Sequence, residues 1–385
     1  MKILQTPVQF YPHIGGVETY VYNYGRELVA KGHDVTVLCA KVDRDQPDEE
    51  YINGIRVKRL RPIGKIAGTK ITPGLIPALQ RELTETDVLH THLPTPWSAD
   101  LSAVAGRLAD VPTILTYHND ITSTGHLSYV ADAYNATALR ATLHMADRIV
   151  VTRNSYVKHS NYLDTYVGKT TTIQPGVDLD RFTPSCGENF ESELDGYGPE
   201  VETLFFLGVL SDKHRYKGVD ILLEAFEHAV SRTNRDLRLV VGGGGELRSE
   251  YETVAAERGI GDIVEFPGRI PGDKLGAMYA NADAFVLPST SPKQEGFGLV
   301  LLEALACETP VVTTDIVGVA PDIEREPIGS VVRPGDPAAL AKGITNVIEE
   351  TVEVDRGRTR ELCHEKYSWA TNTESLLDLY RAVLK

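Results

Sequence analysis

A strand–helix alternation that runs twice along the chain is the feature that most limits its fold. Short β-rich runs fall at residues 2–5, 34–39, 87–90, 113–116 and 148–151, with helical patterns between them, the first at 16–31 and stopped by Gly32. A second series falls at 204–207, 237–241, 263–266, 284–287 and 310–313, with helices expected at 218–231, 246–258, 273–281, 299–307 and 337–350. Short apolar runs alternating with helices build right-handed βαβ units on parallel sheets. The two series are parted by residues 183–200, which are polar, acidic and rich in glycine and proline, the chemistry of a linker or surface loop. A chain of 385 residues is long enough for two domains of ordinary size. The expected class is therefore α/β, with two doubly wound domains in tandem. A final amphipathic stretch at 369–384 carries Trp369, Leu376, Leu377, Leu379, Tyr380 and Val383.

Composition removes several functions. The formal net charge is -15, from 54 acids against 39 bases, so nucleic acid is not an expected partner. No apolar run approaches the roughly 18 residues of a membrane-spanning helix, and the first residues lack the apolar core of a secretion signal, so a cytoplasmic protein is expected. Cys39, Cys186, Cys307 and Cys363 are too far apart for a Cys-x-x-Cys motif, which predicts four reduced thiols.

In open α/β sheets, ligands bind beyond the carboxyl ends of the strands. The residues there are the candidates. Gly15 and Gly16 follow the first strand and open a helix, where backbone N–H groups can approach an anion; a ligand-free strand-to-helix turn reads equally well. The sequence is not Gly-x-Gly-x-x-Gly. His118, Asn119 and Asp120 end another strand and suit hydroxyl recognition or proton transfer, or else a hydrogen-bonded turn. Lys213, Arg215 and Lys217 precede a helix start at Gly218, as a diphosphate site or a solvated basic loop would. Residues 242–245 are four glycines before a helix. Glu295 and Glu303 stand eight residues apart, about 12 Å of rise on a continuous helix, too far to act together on one glycosidic bond. Gly296 and Gly298 break the first turn, leaving Glu295 in a loop and Glu303 on the helix. That spacing fits one elongated ligand with hydroxyls at both ends, or an ordinary loop and a helix whose Glu303 faces water.

At these motifs the chain resembles the retaining nucleotide-sugar glycosyltransferases of family 4, which have the GT-B architecture of two facing Rossmann-like domains. The resemblance covers nearly the whole chain: residues 15–18, 116–118, 174–178 with Phe182, Lys217-Gly218, 295–303 and 310–312 stand in the family's order. It implies an acceptor-binding domain at 1–182, a linker at 183–200, a nucleotide-sugar-binding domain at 201–366, and a helix at 367–385 crossing back to the first domain. His118, Lys217 and Glu295 would be catalytic. The donor would be held by Gly15, Gly16, Arg215, Lys217, Gly244, Arg269, Ile270, Glu295, Gly296, Phe297, Gly298, Leu299, Val300 and Glu303, with Glu303 on the ribose and the base near Arg269 and Ile270. Glu18, Asn119 and Asp120 would contact the acceptor. Lys217 and helix N-termini would balance the departing diphosphate, so neither a metal nor a cofactor is expected. The implied activity transfers a hexose or aminosugar from a UDP- or GDP-linked donor to a hydroxyl of a glycan or lipid-linked acceptor, with retention, in cell-surface polysaccharide, glycolipid or protein glycosylation.

Three departures stand against this pattern. Val209 replaces an arginine usual after Gly208, with Arg215 nearby as a substitute charge; Glu308 replaces a small residue; and Val317-Gly318 replaces a glycine pair. They support the alternative of a catalytically weak or inactive nucleotide-sugar-binding subunit. A nicotinamide-dependent oxidoreductase is favoured only by the alternation and the glycines. Residues 56–70 hold six bases and no acid, which suits either an anionic membrane surface on the inner face of the cell membrane or a strand with its bases in water.

Overall fold

The computed structural model describes the chain except for residues 14, 67–68, 122–126 and 188–199. Most of the 183–200 segment thus lies outside the described residues. The chain divides into two compact units: unit 1 is Met1–Pro175 with Trp369–Lys385, and unit 2 is Gly176–Ser368.

Unit 1 contains β1 (Lys2–Thr6), β2 (Asp34–Ala40), β3 (Glu49–Ile52), β4 (Ile55–Leu60), the ribbon β5 (Gly64–Ile66) and β6 (Thr69–Ile71), then β7 (Val88–Leu93), β8 (Thr113–Tyr117), β9 (Arg148–Val151) and β10 (Thr170–Thr172). Its main sheet runs β10-β9-β8-β7-β1-β2-β4-β3, parallel throughout except for the β3–β4 pair. The chain starts at β1, builds outward through β2 and β4, and returns to β7 on the other side. The direction of winding therefore reverses between β1 and β7, where a crevice opens at the strands' carboxyl ends.

Unit 2 contains β11 (Val201–Leu207), β12 (Asp236–Gly242), β13 (Val264–Gly268), β14 (Ala284–Leu287), β15 (Val311–Thr314) and β16 (Gly329–Val332), all parallel, in the order β13-β12-β11-β14-β15-β16. Its switch point lies between β11 and β14. Strands of such sheets are buried on both faces and read as continuous apolar runs, as Leu204, Phe205 and Phe206 on β11 and Phe285, Val286 and Leu287 on β14 do. β7 departs from this rule: all six of its residues are buried, and they include His90, Thr91 and His92. The apolar pattern stops at His90, so the strand reaches three residues past its sequence-based end. The helix Arg356–Lys366 has no apolar stripe to signal it, because Thr359, Leu362 and Cys363 are its only buried residues.

The boundary expected at residue 182 is corrected to Pro175. The Val177 amide donates to the Tyr367 carbonyl (2.7 Å), Phe182 packs into the unit 2 core, and Arg360 caps the carbonyls of Leu179 (2.9 Å) and Phe182 (2.7 Å). Within unit 1, the helix Trp369–Val383 packs Leu376, Leu377 and Tyr380 into the core, and Trp369 meets the rings of Tyr20 and Tyr24 edge-on.

Glu308 sits at φ 63, just beyond the helix Leu299–Ala306. Its amide bonds the Leu305 carbonyl (3.1 Å) and the Thr309 amide bonds that of Ala304 (3.0 Å), the paired bonds of a Schellman end. A left-handed residue with a Cβ costs roughly 1–2 kcal/mol at such a site. Glu308→Gly should therefore raise stability by about 1 kcal/mol, read as a higher urea midpoint at unchanged slope; a lower midpoint would contradict this account.

Candidate functional site

In unit 2 the loops after β11 and β14 meet at the switch point. Gly218, at φ 75, starts the helix Val219–Val230, and a Cβ there would collide with the Pro288 carbonyl oxygen. The two loops are thus in backbone contact, reinforced by the Thr290 amide on the Tyr216 carbonyl (2.7 Å). This brings Lys217 Nζ to 2.7 Å from Glu295 Oε2, which also accepts from Ser289 Oγ at 2.6 Å. Glu295 is 3% exposed. Burial is the largest influence and works against the Lys217 charge, but the Glu295 charge, Tyr216 and the hydrogen bond to Glu295 together outweigh it and hold the ammonium above the usual lysine range. A buried ion pair is stable only while both partners stay, so a ligand anion that takes Lys217 must compete with Glu295.

The neighbouring segments are set by glycines of two kinds. A Cβ at Gly243 or Gly245 would strike the carbonyl of Gly208 or Leu210, whereas Gly244 faces open space. Leu210 donates to Gly244 (2.9 Å) and Gly208 to Gly242 (3.0 Å), so the loops after β11 and β12 are zipped together. Gly298, at φ 87, starts the helix Leu299–Ala306 without a side-chain cap. Phe297 is buried, its carbonyl accepts from the Gly318 amide (3.0 Å), and its ring fills the space a side chain at 318 would need. The Val317-Gly318 departure thus keeps the glycine that packing demands. Gly296, Leu299 and Val300 are half-buried around this turn. Ile270 packs over Gly242 and Arg269 is exposed. Glu303 is half-buried, with Tyr279 donating to Oε2 at 2.7 Å, and burial raises its carboxyl to about 7.

Two sequence expectations are corrected here. Arg215 does not supply the charge missing at Val209: its guanidinium grips Glu250 (2.9 and 3.0 Å) and Asp212 (3.0 Å), and Val209 is exposed. In unit 1, Asp120 is not offered to a ligand. It is buried, with Oδ1 accepting from Ser160 (2.7 Å) and Tyr117 (3.0 Å) and Oδ2 from the Asn161 amide (3.4 Å), because a buried carboxylate must be supplied with donors. Two Asp-x-Asp triplets occur, at 43–45 and 178–180; Asp178 Oδ1 accepts from the amides of Asp180 and Arg181, a local turn.

Unit 1 brings together Gln5, His90, His92, Thr116, His118, Tyr20 and Tyr380 where β1, β7 and β8 lie side by side. His90 Nδ1 meets the Tyr380 hydroxyl (2.6 Å) and Nε2 that of Thr116 (2.7 Å). His92 Nε2 meets Gln5 Oε1 (2.9 Å), and Nδ1 meets His118 Nε2 (3.4 Å). The rings form a row, His90–His92 at 4.6 Å and His92–His118 at 5.6 Å. Burial pushes His90 and His118 down to about 3 and His92 well below the usual range. His118 itself is half-buried, as is Asn119. Gly16 faces open space, and a Cβ at Gly15 would strike the carboxylate of half-buried Glu18, which burial pushes up. Sequence reading missed Gln5, His92 and Ser289; the alternating His90 and His92 at the end of a central strand were the available signal.

Half of the six bases in the stretch 56–70 are paired with acids. Arg56 pairs with Glu49 (2.6 Å), Lys58 with Glu82 (2.6 Å), and buried Arg59 with Glu50 and the Tyr11 carbonyl. Lys70 is buried on the Lys41 carbonyl (2.7 Å). Arg61, Ile63, Lys65 and Ile66 are exposed. No helix among the described residues is long and apolar enough to cross a membrane.

A family model described as Glycosyltransferase Family 4 matches residues 14–181, and one described as Glycosyl transferases group 1 matches residues 197–363. A D-inositol 3-phosphate glycosyltransferase of Geodermatophilus obscurus is 30% identical over 96% of this chain and 85% of its own length. The phosphatidyl-myo-inositol mannosyltransferase of Mycobacterium tuberculosis is 26% identical over 96% and 93%. The Anabaena protein HepE, solved with UDP and glucose, superposes with a TM-score of 0.76 at 18% identity over 99% and 100% of the two chains.

The histidine row sets a pH dependence. Folded His90 and His92 refuse protons that the unfolded chain binds below 6.5, so their contribution is present above 6.5 and lost as pH falls toward 3. Each contributes a slope of up to about 1.4 kcal/mol per pH unit. The urea midpoint should drop between pH 7.5 and 5, and drop less in His90→Gln; equal slopes in the two proteins would refute the assignment.

Proposed function

The chain belongs to the glycosyltransferases of group 1 and family 4, with the GT-B fold, and from that premise we propose a retaining, metal-independent transferase that uses a UDP- or GDP-linked sugar. The observation that carries the reading is the cluster of half-buried Lys217 with buried Glu295 and Ser289 at the switch point of unit 2. Glu295 holds the Lys217 ammonium in place. The diphosphate of a donor would draw Lys217 to itself, freeing Glu295 for the sugar hydroxyls. Lys217 and the uncapped helix starts at Gly218 and Gly298 would then stabilise the charge of the departing nucleoside diphosphate. The acceptor hydroxyl attacks the anomeric carbon from the face the diphosphate leaves. Its proton passes to the departing phosphate oxygen, so no protein base is required. His118, held neutral by burial, would serve as a hydrogen-bonding partner rather than as an acid at neutral pH. Glu303, steadied by Tyr279, would bind the ribose.

The acceptor class is a glycan or lipid-linked hydroxyl. The relatives' names add inositol phosphate and phosphatidylinositol to the compounds worth assaying. A place on the inner face of the cell membrane would rest on Arg61, Ile63, Lys65 and Ile66 alone. Salt-sensitive flotation with anionic vesicles, lost in a Lys65→Glu, Ile66→Ser variant, is the expected result; no flotation would remove the idea.

A second reading, a nucleotide-sugar-binding subunit with little turnover, is favoured by Val209 and by the engagement of Arg215 with Glu250. One experiment separates the two. Released nucleotide is measured by mass spectrometry with a panel of UDP-, GDP- and ADP-sugars, with and without chelator, beside thermal shifts with the same compounds. Hydrolysis of one donor, indifferent to chelator and reduced about 10²–10³-fold in Lys217→Met, is expected. Stabilisation without turnover would favour the binding subunit, and no stabilisation by any nucleotide would overturn both.

A further inference from the structure

A polar side chain on a central parallel strand is costly unless it is paired, so Gln5 on β1 and His92 on β7 need an explanation. Gln5 is 1% exposed and His92 fully buried. The Gln5 oxygen faces His92 Nε2 at 2.9 Å. A carbonyl oxygen only accepts, so that nitrogen carries the proton. Neutral imidazole has one N–H, which leaves His92 Nδ1 with a lone pair. Facing it at 3.4 Å is His118 Nε2, which must then carry a proton itself. His118 Nδ1 is left as an acceptor, and it has no partner among the described residues. The Tyr20 ring stands edge-on to His118 at 4.8 Å and 88°, which fixes the plane of the imidazole. His90, bracketed by two hydroxyls, fits either tautomer and imposes no direction of its own.

We propose that Gln5 and His92 are positioning residues that set the tautomer of His118, so that its Nδ1 accepts a hydrogen bond from a hydroxyl of the ligand. A lone pair at that atom would repel a phosphate or carboxylate oxygen, so the position is selective for a donor group. That the hydroxyl belongs to a sugar rests on the glycosyltransferase reading; the tautomer does not.

Two-bond proton–nitrogen correlation spectra of the full-length chain, labelled with 15N-histidine and recorded at pH 7.5 without substrate, test the relay directly. The expected spectrum has His118 protonated at Nε2 and bare at Nδ1, with His92 in the same form. The opposite tautomer, or an even mixture, would overturn it. In His92→Leu the His118 signals should move to a mixture, and His92→Asn, whose amide oxygen can stand near the lost Nδ1, should restore them. An unmoved His118 in a folded His92→Leu would also end the proposal, and if that variant fails to fold, the wild-type spectrum decides alone. With a donor that the wild type turns over, kcat should fall about tenfold in His92→Leu with little change in the donor KM, and recover in His92→Asn, as loss of one hydrogen bond predicts. A wild type that turns over no donor would count against the transferase reading and leave the tautomer result intact.

Discussion

The oxygen of Pro288 stands where any side chain at residue 218 would have to be, and the chemistry of unit 2 depends on that contact. Because the loops after β11 and β14 touch backbone to backbone, Lys217 and Glu295, 78 positions apart, become hydrogen-bonded neighbours. Strand order is the deeper cause. β11 and β14 are adjacent only because the chain winds outward through β12 and β13 before crossing back, and the crevice at that reversal is where the pair sits. Desolvating two charges is expensive, and Ser289 meets part of the cost with a further donor to Glu295. The result is a cation held in place by a protein carboxylate.

Unit 1 solves the same topological problem without charge. At its own reversal, between β1 and β7, the polar groups are neutral imidazoles, a carboxamide and hydroxyls; His90 and His92 are answered on both ring nitrogens by neighbours, whereas the Tyr20 and Thr91 hydroxyls are buried without a hydrogen-bond partner among the described residues. Burial keeps the imidazoles unprotonated. Such a row offers hydrogen bonds but contributes no field. Under the proposed transferase reading, unit 2 would manage anionic charge and unit 1 hydroxyl geometry.

The surface carries a related lesson. Residues 56–70 look strongly basic in a linear window, yet the acids that answer them, Glu49, Glu50 and Glu82, lie on an adjacent strand and a helix. Arg59 even points inward, to the Tyr11 carbonyl. Arg215 shows the same effect, since Glu250 reaches it from the helix Arg248–Glu257. Charge runs describe a surface only after pairing has been counted, and pairing is a property of the fold.

Two parallel sheets, the positions of most strands and helices, and the segments carrying Lys217, Glu295 and His118 were legible in the sequence. These features follow from local periodicity and from glycines at strand ends, and both are short-range. The end of β7 was not legible, because His90, Thr91 and His92 read as polar, and only the fold supplies Thr116 and Tyr380 to His90 and Gln5 and His118 to His92. Nor was the inward turn of Asp120, which Ser160 and Tyr117 dictate, or the transfer of residues 176–182 to unit 2 through Arg360 and Tyr367. The sequence by itself determined which chemistry the chain carries. Only the tertiary structure decided which charges are already spent and which lone pair is left to offer, because hydrogen-bond partners and burial are set by residues distant in the chain.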